Sequence, residues 1–217
     1  MNTKATTMVL AFLGSVTFSS MVWGTITPLF DSVSGGPGNF TFNYSMLISS
    51  TERAQPGAVP IAVTPPGVGT AGATLYADYV TIYDFTGFNG TESHPPGWAF
   101  QSLNLGSTPQ LTSPTDNASI ANLTWYRTEA SIAGLQTLTG FSANTTLGSA
   151  FMPGSFTSDA TKLAPDDPLN GFTESTIGST IVPAPPVTGV PEPTTLLLLG
   201  SGLVGLVGWR QWRAKKA

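Results

Sequence analysis

Residues 40–48 read Phe-Thr-Phe-Asn-Tyr-Ser-Met-Leu-Ile, and this stretch decides the fold class. Large apolar side chains stand at every second position from Phe40 to Ile48, with Thr41, Asn43 and Ser45 between the first four of them. Successive side chains of a β-strand point to opposite faces. The alternation therefore predicts a strand with one buried face and one wet face.

Other stretches extend this pattern along the chain. Residues 75–85 (LYADYVTIYDF) carry apolar side chains at both parities, which predicts a strand covered on both sides. Turn signals, such as the Gly/Pro run at 35–38, Asn89-Gly90 and the Pro-Pro-Gly at 95–97, separate the candidates. Several short strands punctuated in this way predict an all-β fold, an antiparallel β-sandwich of jelly-roll type. The remaining strand candidates are 98–103, 120–127, 135–142, 154–161 and 175–182.

Composition supports strands over helices and narrows the function. Only 9% of residues are charged, while Gly (24) and Pro (18) are frequent, a mixture that disfavours long helices. Residues 25–190 contain eleven acids and three bases, a net charge of −8, so they offer no electrostatic footprint for nucleic acid. Cysteine is absent, which excludes a disulfide framework, a thiolate nucleophile and a Cys-based metal site.

The N-terminal residues 1–24 are predicted to be a signal peptide with a helical apolar segment. Lys4 supplies the positive charge, and residues 8–18 (MVLAFLGSVTF) form an apolar run of suitable length. Small residues follow, which places the mature start near Thr25. The alternative is a buried N-terminal helix or an uncleaved anchor, for which the run is short.

The C-terminal residues have three parts. A Pro-Glu-Pro motif at 191–193 precedes the uncharged residues 194–208, and a basic end follows. The uncharged run, extended to Trp209, predicts a transmembrane helix at 194–209. Basic residues next to a membrane span favour the cytoplasmic side, so they should retain this end in the cytoplasm. The basic residues are Arg210, Arg213, Lys215 and Lys216.

This tail resembles the PEP-CTERM sorting domain, on the strength of Pro191-Glu192-Pro193, the Leu/Gly-rich span and Arg210. The resemblance implies recognition by an exosortase, an integral-membrane protease of Gram-negative bacteria that make extracellular polysaccharide. It assigns recognition to Pro191, Glu192 and Pro193, and membrane retention to the span and the basic end. An ordinary single-pass anchor is the alternative.

These observations predict four segments. Residues 1–24 form the signal peptide and residues 25–180 the β-sandwich domain. Residues 181–189 form an extended Pro-rich linker, and residues 190–217 form the sorting signal with its transmembrane helix. The protein is then exported, anchored briefly in the inner membrane, and moved to the cell surface or the medium.

Little in the sequence predicts catalysis or a cofactor. His94 is the single histidine and no G-x-S-x-G motif accompanies it, so neither a catalytic triad nor a zinc site is expected. Calcium remains open, with Asp166-Asp167 beside Asn170, or Asp78 and Asp84, as candidate ligands. A hydrolase would require two carboxylates to converge in a cleft.

The leading hypothesis is a non-enzymatic surface or matrix protein with an exosortase and the membrane as partners. The alternative is a carbohydrate-binding module in which Trp98, Trp125 or the tyrosines of 75–85 stack on sugars, although such aromatics commonly pack in cores. Six Asn-x-Ser/Thr triplets place amides and hydroxyls two residues apart, and a wet face of this kind would suit contact with exopolysaccharide.

Overall fold

The computed structural model describes residues 25–57, 76–109, 112–148, 150–163 and 170–185 of the chain. All regular secondary structure in these residues is β-strand. None of them belongs to a helix that is long and apolar enough to cross a membrane. The strands are β1 (Ile26–Gly36), β2 (Asn39–Ile48), β3 (Glu52–Ala54), β4 (Tyr79–Ile82), β5 (Phe88–Ser93), β6 (Trp98–Leu103), β7 (Asn122–Arg127), β8 (Ile132–Ala133), β9 (Gln136–Thr145), β10 (Phe151–Lys162) and β11 (Thr173–Pro183).

The strands pair into two antiparallel sheets. The four-stranded sheet has the order β1-β2-β9-β5. The seven-stranded sheet has the order β6-β7-β4-β10-β3-β8, and β11 pairs along the other edge of β10. The predicted turn at 35–38 joins β1 to β2, because Gly36 pairs with Asn39 and Gly38 has a φ of 85°, which favours glycine. The all-β, antiparallel prediction is confirmed.

The inner faces of the two sheets share one aromatic core, an arrangement like that of a β-sandwich. The Trp125 ring of β7 lies 6.3 Å from the Tyr44 ring of β2 and 6.0 Å from the Phe141 ring of β9. Trp98 of β6 packs edge-on against Phe141, with ring centroids 5.2 Å apart. Tilted and edge-on contacts at these distances are the favoured aromatic geometries. Since the partners belong to opposite sheets, these rings hold the sheets together.

The central strand β4 is buried on both faces, as the sequence predicts. Val80 and Ile82 join the core between the sheets, while Tyr79 and Thr81 are equally buried on the outer side. The strand is shorter than the predicted range 75–85. Asp84 has a φ of 56°, which turns the chain out of the extended conformation.

Six other predicted strands coincide with or overlap observed ones, namely β2, β6, β7, β9, β10 and β11. The pattern fails for β1, β3, β5 and β8, which are short, exposed or irregular. In β1 a register shift between Phe30 and Ser32 breaks the alternation. Asn89-Gly90 predicts a turn, but it lies inside β5, where the pairing with β9 also shifts register.

The predicted linker begins later than expected. β11 continues to Pro183, so the first three residues of the range 181–189 are strand. Val182 is buried in the core, and the Tyr44 hydroxyl donates a hydrogen bond to the Ile181 carbonyl at 2.7 Å. The boundary was misplaced because Pro183 ends a strand here, a position at which proline is tolerated.

Replacing the central core residue by Trp125→Ala should lower the free energy of unfolding by about 3–5 kcal/mol, because a large buried ring leaves a cavity at the sheet interface. Chemical denaturation measures the change. Leu135→Ala is the control, since Leu135 is 69% exposed and its loss should cost about 0.5 kcal/mol or less. Equal effects of the two substitutions would contradict the position of the core.

Candidate functional site

The outer face of the four-stranded sheet is the candidate site, and we call it the amide face. One row crosses all four strands: Ser32 pairs with Asn43, Asn43 with Ser142, and Ser142 with Ser93. This surface arises because the apolar residues of β2 and β9 point into the core and leave their polar neighbours outside. The amide face consists of Ser32, Ser34, Asn39, Thr41, Asn43, Asn89, Ser93, Ser142 and Asn144.

Hydrogen bonds between strands order these side chains. The Asn39 Oδ1 atom accepts from the Nδ2 atoms of Asn89 at 3.1 Å and Asn144 at 3.2 Å. The Thr41 hydroxyl donates to Asn144 Oδ1 at 2.9 Å, and Asn43 Nδ2 donates to the Ser32 hydroxyl oxygen at 3.2 Å. An amide has two donors and two acceptor lone pairs, so Asn144 retains one of each for another partner.

The nine residues of the amide face are uncharged, and one exposed acid, Asp31 of β1, borders them on the same side of the sheet. Acids nearby in the sequence have other partners: Asp31 accepts from the Ser45 hydroxyl at 2.6 Å, and Glu92 accepts from Trp125 Nε1 at 3.4 Å. A neutral surface of ordered amides and hydroxyls can exchange hydrogen bonds with a hydroxyl-rich ligand. It provides neither a nucleophile with its base nor a charged group for phosphate.

The two predicted sugar-stacking tryptophans do not lie on a surface. Trp98 is 4% exposed and Trp125 is fully buried, both in the core between the sheets. On the outer face of Trp98, Arg127 Cζ stands 5.8 Å from the ring centroid. The assignment of Trp98 and Trp125 as stacking residues is therefore wrong for this conformation, because neither ring presents a face to solvent. Of the tyrosines in the predicted strand 75–85, Tyr79 and Tyr83 are buried as well, whereas Tyr76 is 41% exposed.

His94 follows β5 and lies beside an acid. Its Nε2 atom is 3.7 Å from Glu92 Oε1, and its Nδ1 atom is 3.2 Å from the Pro95 carbonyl oxygen. Within the described ranges neither ring nitrogen contacts a Ser or Thr hydroxyl. The arrangement lacks the nucleophile that a triad needs.

Two carboxyl groups, those of Asp78 and Asp159, are buried in the seven-stranded sheet. Asp78 Oδ2 accepts from the backbone N–H groups of Gln55 at 2.6 Å and Thr161 at 2.9 Å. Burial raises the pKa of Asp78 to about 7 despite these bonds. Asp159 accepts from the Ser175 hydroxyl at 2.5 Å, and burial raises its pKa to about 6. These carboxyl groups accept hydrogen bonds from backbone and side-chain donors of neighbouring strands.

A third buried acid, Glu52, lies at the end of β3. Lys162 Nζ is 3.9 Å from Glu52 Oε1 and 2.8 Å from Glu174 Oε2, so the two carboxyl groups share one cation. Burial, and then the Glu174 charge, raise the pKa of Glu52 well above its usual range.

The calcium candidates are only partly visible. Asp78 has the partners given above, and Asp84 Oδ1 accepts from the Asn117 N–H at 2.8 Å. In the part of the chain that the structure covers, no three His, Cys, Asp or Glu side chains are grouped so as to hold a metal ion. Asp166 and Asp167 lie outside the described residues.

Comparison with protein families identifies the C-terminal tail. A model described as the PEP-CTERM protein-sorting motif matches residues 189–214. The chain carries a PEP-CTERM motif. The predicted resemblance is confirmed, and the motif implies an exported protein that an exosortase sorts at the membrane. No match was found among curated proteins or among solved structures, so the rest of the chain has no such guide.

The PEP-CTERM match contains most of the predicted sorting residues. Pro191, Glu192 and Pro193 fall inside it. Of the four basic residues, Arg210 and Arg213 also fall inside it, and Lys215 and Lys216 follow it directly. All of them, and the predicted helices at both ends, lie outside the described residues.

Sequence reasoning found only part of the amide face. The alternation of residues 39–45 predicts the wet side of β2, but it does not reach Ser32 and Ser34 of β1 or Ser93 of β5. The Ser-Val-Ser alternation at 32–34 was a local signal that could have revealed β1. No local signal places Ser93 beside Ser142, because that pairing depends on the sheet register.

The buried acids predict that the fold loses stability as pH rises. The pKa of Asp78 is raised to about 7 in the fold, above its value in the unfolded chain. Its protonated form therefore contributes fully to the free energy of unfolding below about pH 4, and this contribution is lost as the pH rises through about 7. The raised pKa values of Asp159 and Glu52 act in the same direction. Urea unfolding between about pH 4 and pH 8 should show a steady fall in the free energy of unfolding.

Asp78→Asn should flatten this dependence, since an amide oxygen can still accept from the two backbone N–H groups but cannot ionise. Glu129→Gln, a change at an exposed acid, is the matched control and should leave the slope unchanged. A wild-type stability that increases from about pH 4 to pH 7 would show that the acids are not held as described.

Proposed function

We propose that this protein is a non-enzymatic structural component of the bacterial cell surface or extracellular matrix, delivered there by an exosortase. The observation that carries the proposal is the PEP-CTERM motif at residues 189–214. In this proposal residues 1–24 direct export and the helix at 194–209 anchors the chain in the inner membrane. The basic end from Arg210 stays in the cytoplasm until the exosortase acts at Pro191, Glu192 and Pro193.

A structural role is supported by the hydrogen-bond partners of the polar groups in the described domain. The buried carboxyls of Asp78 and Asp159 accept hydrogen bonds from the fold itself. The nine residues of the amide face are uncharged, and hydrogen bonds among them order their side chains. We propose that the jelly-roll-type sandwich serves as a stable, weakly charged body at the end of a Pro-rich linker.

The export proposal is tested by deleting the exosortase in the producing strain. The full-length protein should then accumulate in the membrane fraction, and the processed form should disappear. In the intact strain, Glu192→Ala should have the same effect, because it removes the central charge of the motif. Immunoblots of the membrane, surface and medium fractions measure both.

Pro185→Ala is the matched control, because it changes a proline upstream of the PEP-CTERM match. It should leave processing and location as in the wild type. Unchanged processing in the deletion strain would defeat the proposed route.

A second candidate function is binding of a neutral exopolysaccharide at the amide face. The favouring observation is the uncharged row of Ser32, Asn43, Ser142 and Ser93 across four strands. Polysaccharide hydroxyls are both donors and acceptors, and the ordered amides likewise retain unused donors and acceptors. Binding by hydrogen bonds along a flat sheet face would need no exposed aromatic ring.

Asn144→Ala should weaken the binding of the producing strain's exopolysaccharide about three- to tenfold compared with the wild-type protein, because one or two hydrogen bonds to the ligand are lost. Affinity electrophoresis through gels that contain the purified polysaccharide measures this. Asn104→Ala changes an exposed asparagine outside the amide face and should bind normally. Absence of binding by the wild type would remove the second candidate function and leave the first.

A further inference from the structure

Within the described residues, the outer edge of β11 is unpaired from Thr173 to Ser179, and at its C-terminal end the Ile181 carbonyl accepts a hydrogen bond from the Tyr44 hydroxyl. One side of β11 pairs with β10 in an unbroken register from Thr173 to Pro183. Within the described ranges no strand pairs with its other side. Ser175, Ile177 and Ser179 are exposed, and the Ile177 side chain is 46% exposed although it is large and apolar.

The register fixes which backbone groups point outward. Hydrogen bonds from the Ala184 N–H to the Ala150 carbonyl and from the Lys162 N–H to the Phe172 carbonyl bracket the β10–β11 hairpin. In an antiparallel pair, residues that exchange hydrogen bonds alternate with residues that do not. The even-numbered residues of β11 therefore bond to β10. The odd-numbered residues, including 175, 177 and 179, direct their N–H and C=O groups away from it.

The other edge strands carry features that discourage pairing, and β11 does not. β1 contains Pro28 and a register shift next to Asp31. β5 also has a register shift, β6 is six residues long, and β8 is two residues long. β11 is eleven residues long, has a single charge at Glu174, and has a proline only at its end. A long, regular edge of this composition is a template for another strand.

We propose that β11 pairs antiparallel with β11 of a second copy of the chain about a two-fold axis at Ile177, which joins two seven-stranded sheets into one. Ile177 then faces its own counterpart, and Ser175 faces Ser179 of the second copy. A two-fold interface of this kind uses the same surface on both subunits. Residues 175, 177 and 179 exchange main-chain hydrogen bonds across it, while the Ile181 carbonyl keeps its bond from the Tyr44 hydroxyl.

The sequence of β11 is self-complementary in this register. The exposed apolar side chain of Ile177 meets an apolar side chain, and the small Ser175 and Ser179 side chains, whose hydroxyls donate to Asp159 and to the Gly154 carbonyl, face each other without a clash of charge. The charge of Glu174 lies opposite Thr180 of the second copy, so like charges do not face each other. These features favour a second copy over a partner of different chemistry.

The chain contains no cysteine, so single cysteines give an unambiguous test. The full chain is purified in detergent with Ile177→Cys, Ser175→Cys or Ser34→Cys, and the fraction of disulfide-linked dimer is measured under mild oxidation. Residues paired by hydrogen bonds across an antiparallel pair have Cα atoms about 5.5 Å apart, within the range of a disulfide. Ile177→Cys should therefore cross-link, whereas Ser175→Cys faces Ser179 and should cross-link about tenfold less.

Ser34→Cys, on the edge of the other sheet, is the control for random collision and for association through the tail, and should match the low level of Ser175→Cys. Without a cysteine, Ile177→Lys should lower the dimer fraction in sedimentation experiments by about tenfold, because two like charges would meet at the axis. Equal cross-linking at 34 and 177, absence of cross-linking at 177, or stronger cross-linking at 175 would each overturn the proposal.

Discussion

The contact of Trp125 with Tyr44 and Phe141 joins the two sheets, and the rest of the structure depends on it. The chain has no cysteine to cross-link its sheets and few charges to pair. Burial of apolar surface, chiefly of aromatic rings, is therefore the main force that holds β2 and β9 against β7. Once these inner faces are fixed, the alternation of each strand decides which polar residues must face outward.

The sequence predicts the strands whose alternation is strong and misses those with irregular backbone. β2 and β6 were predicted to within one residue, because their apolar positions repeat cleanly. β1 and β5 were not, because a register shift in each strand changes the phase of the pattern. A shift of this kind is set by the partner strand, which local sequence does not contain.

The same limit explains the mistaken position of the two tryptophans. Both lie on strands that were correctly predicted, but a period of two does not say which face meets another sheet. Trp125 has an apolar neighbour at Leu123 on the same face, and both are in the core. Tyr126, on the opposite parity, is only partly buried. The tertiary contact, not the residue type, decides whether an aromatic ring is available to a ligand.

The polar parts of the structure divide in the same way. The amide side of β2 is visible in the sequence because Asn39, Thr41 and Asn43 alternate locally. The burial of Asp78 is not visible, because its partner Thr161 is 83 residues away along the chain. Residues that act through neighbours in sequence can be predicted, whereas groups that meet only through the sheet register require the fold.

The junction at Pro183 has a mechanical consequence. The strand that enters the tail is paired with β10 over its whole length, and the Ala184 N–H adds one more bond to the Ala150 carbonyl. Tension that enters through the tail along the strand axis loads all these backbone bonds together in shear. The same tension at right angles to the strand would peel them one at a time. The direction in which the tail leaves the domain thus sets how much pulling force the domain withstands before its last strand detaches.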